Sequence, residues 1–158
     1  MSGAKSIRGD LLARNARFGI VLSRYNDFVG ERLLQGAIDT LERHGAQSSN
    51  IEVVRIPGAF EMPLVAKTMA ASKRYDALIA LGVVVRGETP HFEYVASQCV
   101  SGLGQVSVQF DMPFGFGVLT VDTLEQAIER AGAKAGNKGV EAALAAIEMV
   151  NLIKHFQG

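Results

Sequence analysis

The sequence predicts an α/β protein, a parallel sheet with helices on both faces. Three observations lead there. Short apolar runs alternate with segments whose apolar residues recur at helical spacing. One run, from Ala77 to Val85, is almost wholly apolar, as a strand covered on both faces must be. The breaks between runs are rich in Gly, Pro, Asn and Asp, the residues that turn a chain.

Phe18 to Ser23 is an apolar run ended by the polar Arg24-Tyr25-Asn26-Asp27, a buried strand followed by a loop. Val29, Leu33, Leu34, Ala37, Ile38 and Leu41 then mark an amphipathic helix, stopped by Gly45 after His44. Ile51 to Ile56 is the second strand, halted by Pro57-Gly58, and Phe60 to Ala71 reads as a helix. Ala77 to Val85 is the third strand, and Arg86 to Thr89 a turn. Pro90 suits the first position of a helix running to about Val106. Phe116 to Val121 is the last strand. Asp122, with Glu125 three residues on, resembles a capping box opening a further helix. Gly132 to Gly139 is a glycine-rich break, and a final helix runs from about Val140 to His155. The expected architecture is a three-layer αβα sandwich, flavodoxin-like, on a four-stranded parallel sheet, in one domain spanning residues 1–158. Residues 1–15 form an arm, with a further edge strand allowed near Ile7.

In the last helix, Val140, Ala143, Leu144, Ile147 and Val150 form one apolar face. Ala142, Ala145, Ala146, Met149 and Ile153 form a second. A helix apolar on two sides is buried on two sides, so a neighbouring subunit is expected against one of them. An alanine-rich helix packed in one core is the plainer alternative.

Composition narrows the function. Lys+Arg and Asp+Glu both number 16, so the chain lacks the basic excess of a nucleic-acid binder. An apolar content of 48% excludes disorder. The single cysteine, Cys99, excludes an internal disulfide and a Cys-rich zinc site, and fits a reducing compartment. The first residues hold no apolar core of a signal peptide, and Leu78 to Val85 is too short to span a bilayer. A cytoplasmic protein is expected, without membrane or nucleic-acid partners.

In folds of this class ligands sit beyond the C-terminal strand ends. Four segments qualify: Arg24 to Asp27, Pro57 to Glu61, Arg86 to His91, and the region around Phe116. The turn from Arg86 to Thr89 opens a helix whose free N–H groups suit phosphate or carboxylate; an ordinary capped loop explains it equally well. The nucleotide fingerprints GxGxxG and GxxxxGK[ST] are absent. His91, in the first helical turn, is placed to be neutral and to move protons. His44 and His155 lie near helix C-termini, where the dipole accounts for them, and three scattered histidines do not make a metal site. Glu61 reads first as a carboxylate at a helix N-terminus; it could also accept N–H groups of a heterocycle, with Phe60 or Tyr25 against the ring. Arg130, Lys134 and Lys138 are helix-end cations or, alternatively, a phosphate clamp. No lysine stands at a strand end, so a Schiff base to the enzyme is not expected. Gly58, Gly87 and Gly117 are read as points where backbone approaches ligand.

Together, Arg24-Tyr25-Asn26, Pro57-Gly58-Ala59-Phe60-Glu61, Gly82 to Val85 with Arg86-Gly87-Glu88-Thr89-Pro90-His91-Phe92, Phe116 to Thr120, and Glu125 to Gly139 resemble the lumazine synthase family, in order and at family spacing from about Arg17 onward. The resemblance implies condensation of 5-amino-6-(D-ribitylamino)uracil with 3,4-dihydroxy-2-butanone 4-phosphate to 6,7-dimethyl-8-ribityllumazine. It places Tyr25 where the family usually has a Phe or Trp stacked on the pyrimidine, beside Asn26. It assigns Ala59, Phe60 and Glu61 to the ribityl chain, and Val83, Val84 and Val85 to the pyrimidine. Glu88, through its backbone N–H, and Thr89 belong to the phosphate turn. Phe116 and the clamp Arg130 come from the adjacent subunit, His91 transfers protons, and Lys138 supports. It implies no cofactor and no metal. It also implies pentamers and, from the near-match Gly132-Ala133-Lys134-Ala135-Gly136-Asn137 to the turn of shell-forming members, a 60-subunit icosahedral shell able to enclose riboflavin synthase. The N-terminal arm could add a strand to a neighbour. The competing reading is a flavin- or lumazine-binding assembly protein of the same fold with weak or no synthase activity. Related chemistry on other sugar phosphates, or a signalling role, is a second.

Overall fold

The computed structural model describes residues 3–132 and 136–157. Four strands, β1 (Phe18–Ser23), β2 (Ile51–Ile56), β3 (Ala77–Val85) and β4 (Phe114–Val121), form one all-parallel sheet in the order β2-β1-β3-β4. Five helices accompany it: α1 (Asp27–Arg43), α2 (Met62–Ala71), α3 (His91–Gln109), α4 (Leu124–Arg130) and α5 (Lys138–Gln157). This is the expected αβα sandwich.

Strand side chains alternate between the two faces. Phe18, Ile20 and Leu22 of β1 join Ile79 and Leu81 of β3 under α1, α4 and α5. Val21, Leu78 and Ala80 face the other way, against Met62 and Ala66 of α2 and Cys99 and Leu103 of α3. All of these side chains are buried, so both faces are core. No helix among the described residues is long and apolar enough to cross a membrane.

Several expectations are corrected. The run Phe60–Ala71 is not one helix: a 3-10 turn at Ala59–Glu61 precedes α2. Pro63 explains this, because its missing N–H confines it to the first turn of an α-helix. Pro90 is the N-cap of α3, and His91 is its first residue. β4 starts at Phe114, where the Leu78 N–H already bonds the Pro113 carbonyl at 2.9 Å. The capping box of α4 lies one residue further on than Asp122 and Glu125. Thr123 Oγ1 accepts from the Gln126 N–H (3.2 Å) while Gln126 Oε1 accepts from the N–H of Thr123 (3.4 Å). Asp122 is engaged instead by Arg86 at 2.8 Å.

The two apolar faces read on the last helix merge into one broad stripe. Ala142, Ala143, Ala146, Ile147 and Val150 are buried together, whereas Ala145 is exposed. Gly115 and Gly117 allow this packing: a Cβ at Gly115 would lie 2.0 Å from the Ala142 carbonyl oxygen, and one at Gly117 2.7 Å from Leu81. Gly117 therefore serves the contact of β4 with its neighbours.

No strand forms near Ile7. The arm lies on α5 of its own chain, where Asn151 Nδ2 donates to the carbonyls of Asp10 (2.9 Å) and Leu12 (3.0 Å). Gly9 permits the approach, since a Cβ there would stand 1.9 Å from the Glu148 carbonyl oxygen. The Arg14 guanidinium, bonded to Asp10 at 2.7 Å, lowers the Asp10 pKa to about 2.

Candidate active site

The strand order reverses between β1 and β3, with β2 on one side and β4 on the other. Chains leaving the ends of those two strands diverge to opposite layers, which opens a crevice at the reversal. A cleft of about 580 Å³ occupies it, and Tyr25, Ala59, Phe60, Glu61, Val83, Val84, Val85 and His91 line it together.

Each wall has a local cause. After β1 the chain turns through Asn26, which adopts the left-handed conformation (φ 56°) that asparagine tolerates better than most residues. Its carbonyl then accepts from the N–H groups of Val29 and Gly30, starting α1. That turn leaves Tyr25 at the mouth of the cleft, 61% exposed. After β2, the 3-10 turn presents Phe60, 56% exposed, and half-buried Glu61. Glu61 Oε1 lies 3.3 Å from where a Cβ on Gly58 would be, so Gly58 gives the carboxylate its room. The end of β3 supplies the valine wall. The first turns of α3 supply His91, with Phe92 and Val95.

Phe92 and Val95 are cleft residues that the sequence reading did not assign. Val95 follows His91 by one helical turn, a spacing that could have identified it. Arg86 was also unassigned. Its guanidinium stacks 4.5 Å from the Phe92 ring centroid and bonds Asp122. Asp122 and then Glu93 raise its pKa above the ordinary arginine value. It thereby ties the end of β4 to the start of α3 across the loop.

Beneath the valine wall, Ser23 is fully buried, and its Oγ has no hydrogen-bond partner. A Cβ on Gly82 would come within 2.4 Å of that oxygen. The neighbouring thiol of Cys99 faces Met62 sulfur at 3.9 Å, and burial pushes its pKa up to about 11, far from a reactive thiolate.

The other predicted residues do not line this cleft. Glu88 and Thr89 are exposed on the loop that bridges the valine wall and α3. Phe116 is not at a strand end: it pairs with Ala80 in the first half of β4, about 16 Å short of Val121 at ~3.3 Å per residue. β4 is an edge strand, and Phe116 is 40% exposed on it. Arg130 ends α4, exposed, with Nη1 on the Gln126 carbonyl at 3.0 Å. Lys138 opens α5, with Nζ 3.4 Å from Glu141. Both helices pack on the face of the sheet opposite α2 and α3. Lys134 and half of the Gly132–Asn137 segment, residues 133–135, lie outside the described residues. Among the described residues no group of three or more His, Cys, Asp or Glu could hold a metal.

An apolar cleft with two exposed rings, one carboxylate and one imidazole suits a flat polar heterocycle and proton transfer. The sequence profile of 6,7-dimethyl-8-ribityllumazine synthase matches residues 15–154 of the 158. That span takes in all four strands, the cleft, and the α4–α5 turn, and the chain belongs to the 6,7-dimethyl-8-ribityllumazine synthase family of riboflavin biosynthesis.

Proposed function

We propose that the protein is a transferase joining 5-amino-6-(D-ribitylamino)uracil and 3,4-dihydroxy-2-butanone 4-phosphate to give 6,7-dimethyl-8-ribityllumazine. The observation that carries this reading is the convergence of eight predicted contacts on one cleft. Tyr25 covers the pyrimidine, the ends of Val83, Val84 and Val85 hold its edge, and Ala59, Phe60 and Glu61 take the ribityl chain. The substrate amine attacks the ketone, and water leaves to form the imine. Phosphate is then eliminated, and the ribityl-bearing amine closes the ring with loss of a second water. Each step moves a proton, and His91 at the cleft edge is the group to move it. Much of the rate comes from holding two substrates together, a source worth up to ~7–11 kcal/mol.

The phosphate end is shared between subunits. Glu88 and Thr89 contribute from the chain that holds the cleft, and Arg130 and Phe116 from its neighbour, with Asn26 and Lys138 in support. Exposure of Arg130 and Phe116 away from their own cleft supports that division. The assembly is a pentamer and, through the α4–α5 turn, a 60-subunit shell able to enclose riboflavin synthase. Incubation with both substrates while following lumazine absorbance tests the activity. Product formation dependent on both is expected; tight flavin binding without product would favour the non-catalytic assembly protein. Sedimentation near neutral pH showing pentamers alone would remove the shell.

A further inference from the structure

One side chain closes the turn between α4 and α5. Asn137 lies half-buried against α1 and uses both ends of its amide. Its Oδ1 accepts from the N–H groups of Gly139 (2.8 Å) and Val140 (3.2 Å) and so caps α5. Its Nδ2 donates to the Arg32 carbonyl of α1 (3.0 Å) and to the Ala131 carbonyl at the end of α4 (3.3 Å). All four hydrogen-bonding positions of the amide are filled. Two glycines create the seat. A Cβ on Gly36 would stand 2.6 Å from Asn137 Oδ1, and one on Gly139 2.1 Å from the Leu33 carbonyl oxygen. The backbone completes the ring: Gly132 N–H donates to the Gly136 carbonyl at 2.8 Å, and Ala131 bridges to Asn137.

Arg130 is the residue before Ala131. Among the described residues no carboxylate pairs with it, and its side chain bonds only the Gln126 carbonyl within its own helix. Its direction is therefore set by the backbone from which it departs, and Asn137 Nδ2 holds that backbone. We propose that Asn137 is a positioning residue for the bound phosphate group: by tying the end of α4 and the start of α5 to α1, it aims Arg130 at a phosphate in the neighbouring cleft. The inference rests on the reading of Arg130 as the phosphate clamp.

Asparagine is required because the seat needs an acceptor and a donor on one short side chain. Asn137→Asp separates the two roles. It keeps an oxygen toward Gly139 and Val140, but sets a carboxylate oxygen against two carbonyl oxygens. Gly36→Ala displaces the amide without changing its chemistry, and serves if Asn137→Asp does not fold. The assembled protein is titrated with inorganic phosphate, and KM is measured for each substrate. The expected result, for the loss of about one hydrogen bond, is a roughly tenfold rise in phosphate Kd and in KM for the phosphate substrate. KM for the uracil amine stays unchanged. Unchanged phosphate affinity, or equal weakening toward both substrates, would overturn the proposal. Arg130→Ala, run in parallel, separates the two failures. If it leaves phosphate binding intact, the clamp reading itself fails; if it weakens binding while Asn137→Asp does not, only the positioning role fails.

Discussion

The strand-end cleft and the α4–α5 turn are built by opposite means. The cleft is made by topology. Loops leaving three strands meet at the reversal of strand order, and the residues they present are largely apolar and partly exposed. Few polar bonds hold them, apart from Arg86 on Asp122. The turn is made by contact. One amide fills every hydrogen-bonding position, and glycines bring backbone onto backbone. A cleft set by topology tolerates a change of side chain, such as tyrosine at position 25. A turn set by contact does not tolerate an added methyl.

The sharpest way to break this contrast is a matched pair of glycine substitutions. Gly139→Ala places a Cβ 2.1 Å from the Leu33 carbonyl oxygen, whereas Gly87→Ala on the cleft loop meets nothing within 4 Å. Urea unfolding should show a loss of about 3 kcal/mol for the first and little for the second. Equal losses would mean the turn gives way as readily as the loop.

Catalysis offers a smaller contrast. With Arg130 in its proposed role as the phosphate clamp, Arg130→Ala should lower kcat/KM by ~10- to 100-fold, mainly through KM for the phosphate substrate. In the proposed mechanism proximity supplies most of the rate, so His91→Ala should act on kcat instead, by ~10²-fold or less. Steady-state kinetics with each substrate varied separates them. An Arg130→Ala enzyme with both parameters intact would remove the clamp.

The smallest effect tests whether the cleft floor is tolerant or merely unprobed. Gly82→Ala presses on Ser23 Oγ and should cost about 1–2 kcal/mol. Ser23→Ala alone removes a buried hydroxyl that has no partner and should leave stability nearly unchanged. Combined with Gly82→Ala, it should recover part of the loss. Additive losses in thermal unfolding would show that the two positions do not meet.

The fold was largely legible because its strands are short apolar runs and its helices carry one apolar stripe. What failed was what depends on a partner in space. Nothing local distinguishes Asp122 and Glu125 from Thr123 and Gln126 as a capping box; Arg86, remote in sequence, takes Asp122. Within its own chain the arm near Ile7 forms no strand, because Gly9 and Asn151, distant along the chain, bring it onto α5. The split of Phe60–Ala71 was readable from Pro63 alone. In the site, position after a strand located Tyr25, Glu61 and His91. Phe116 lies away from the strand end of its own chain because the start of β4 is set by pairing with β3 rather than by its own composition. Asn137 could be seen as part of a turn, but its amide finds its partners only when α1 lies against it.

The buried thiol beside Met62 has a practical consequence. Cys99 is the chain's one cysteine, fully enclosed, with its pKa pushed to about 11, so maleimide at neutral pH should pass it by. The wild-type protein is thus a silent background for site-directed labelling. A single cysteine substituted for Tyr25, or for exposed Arg130 near the turn, would be the only reactive sulfur in each chain. A fluorophore there would report separately on filling of the cleft and on the proposed assembly.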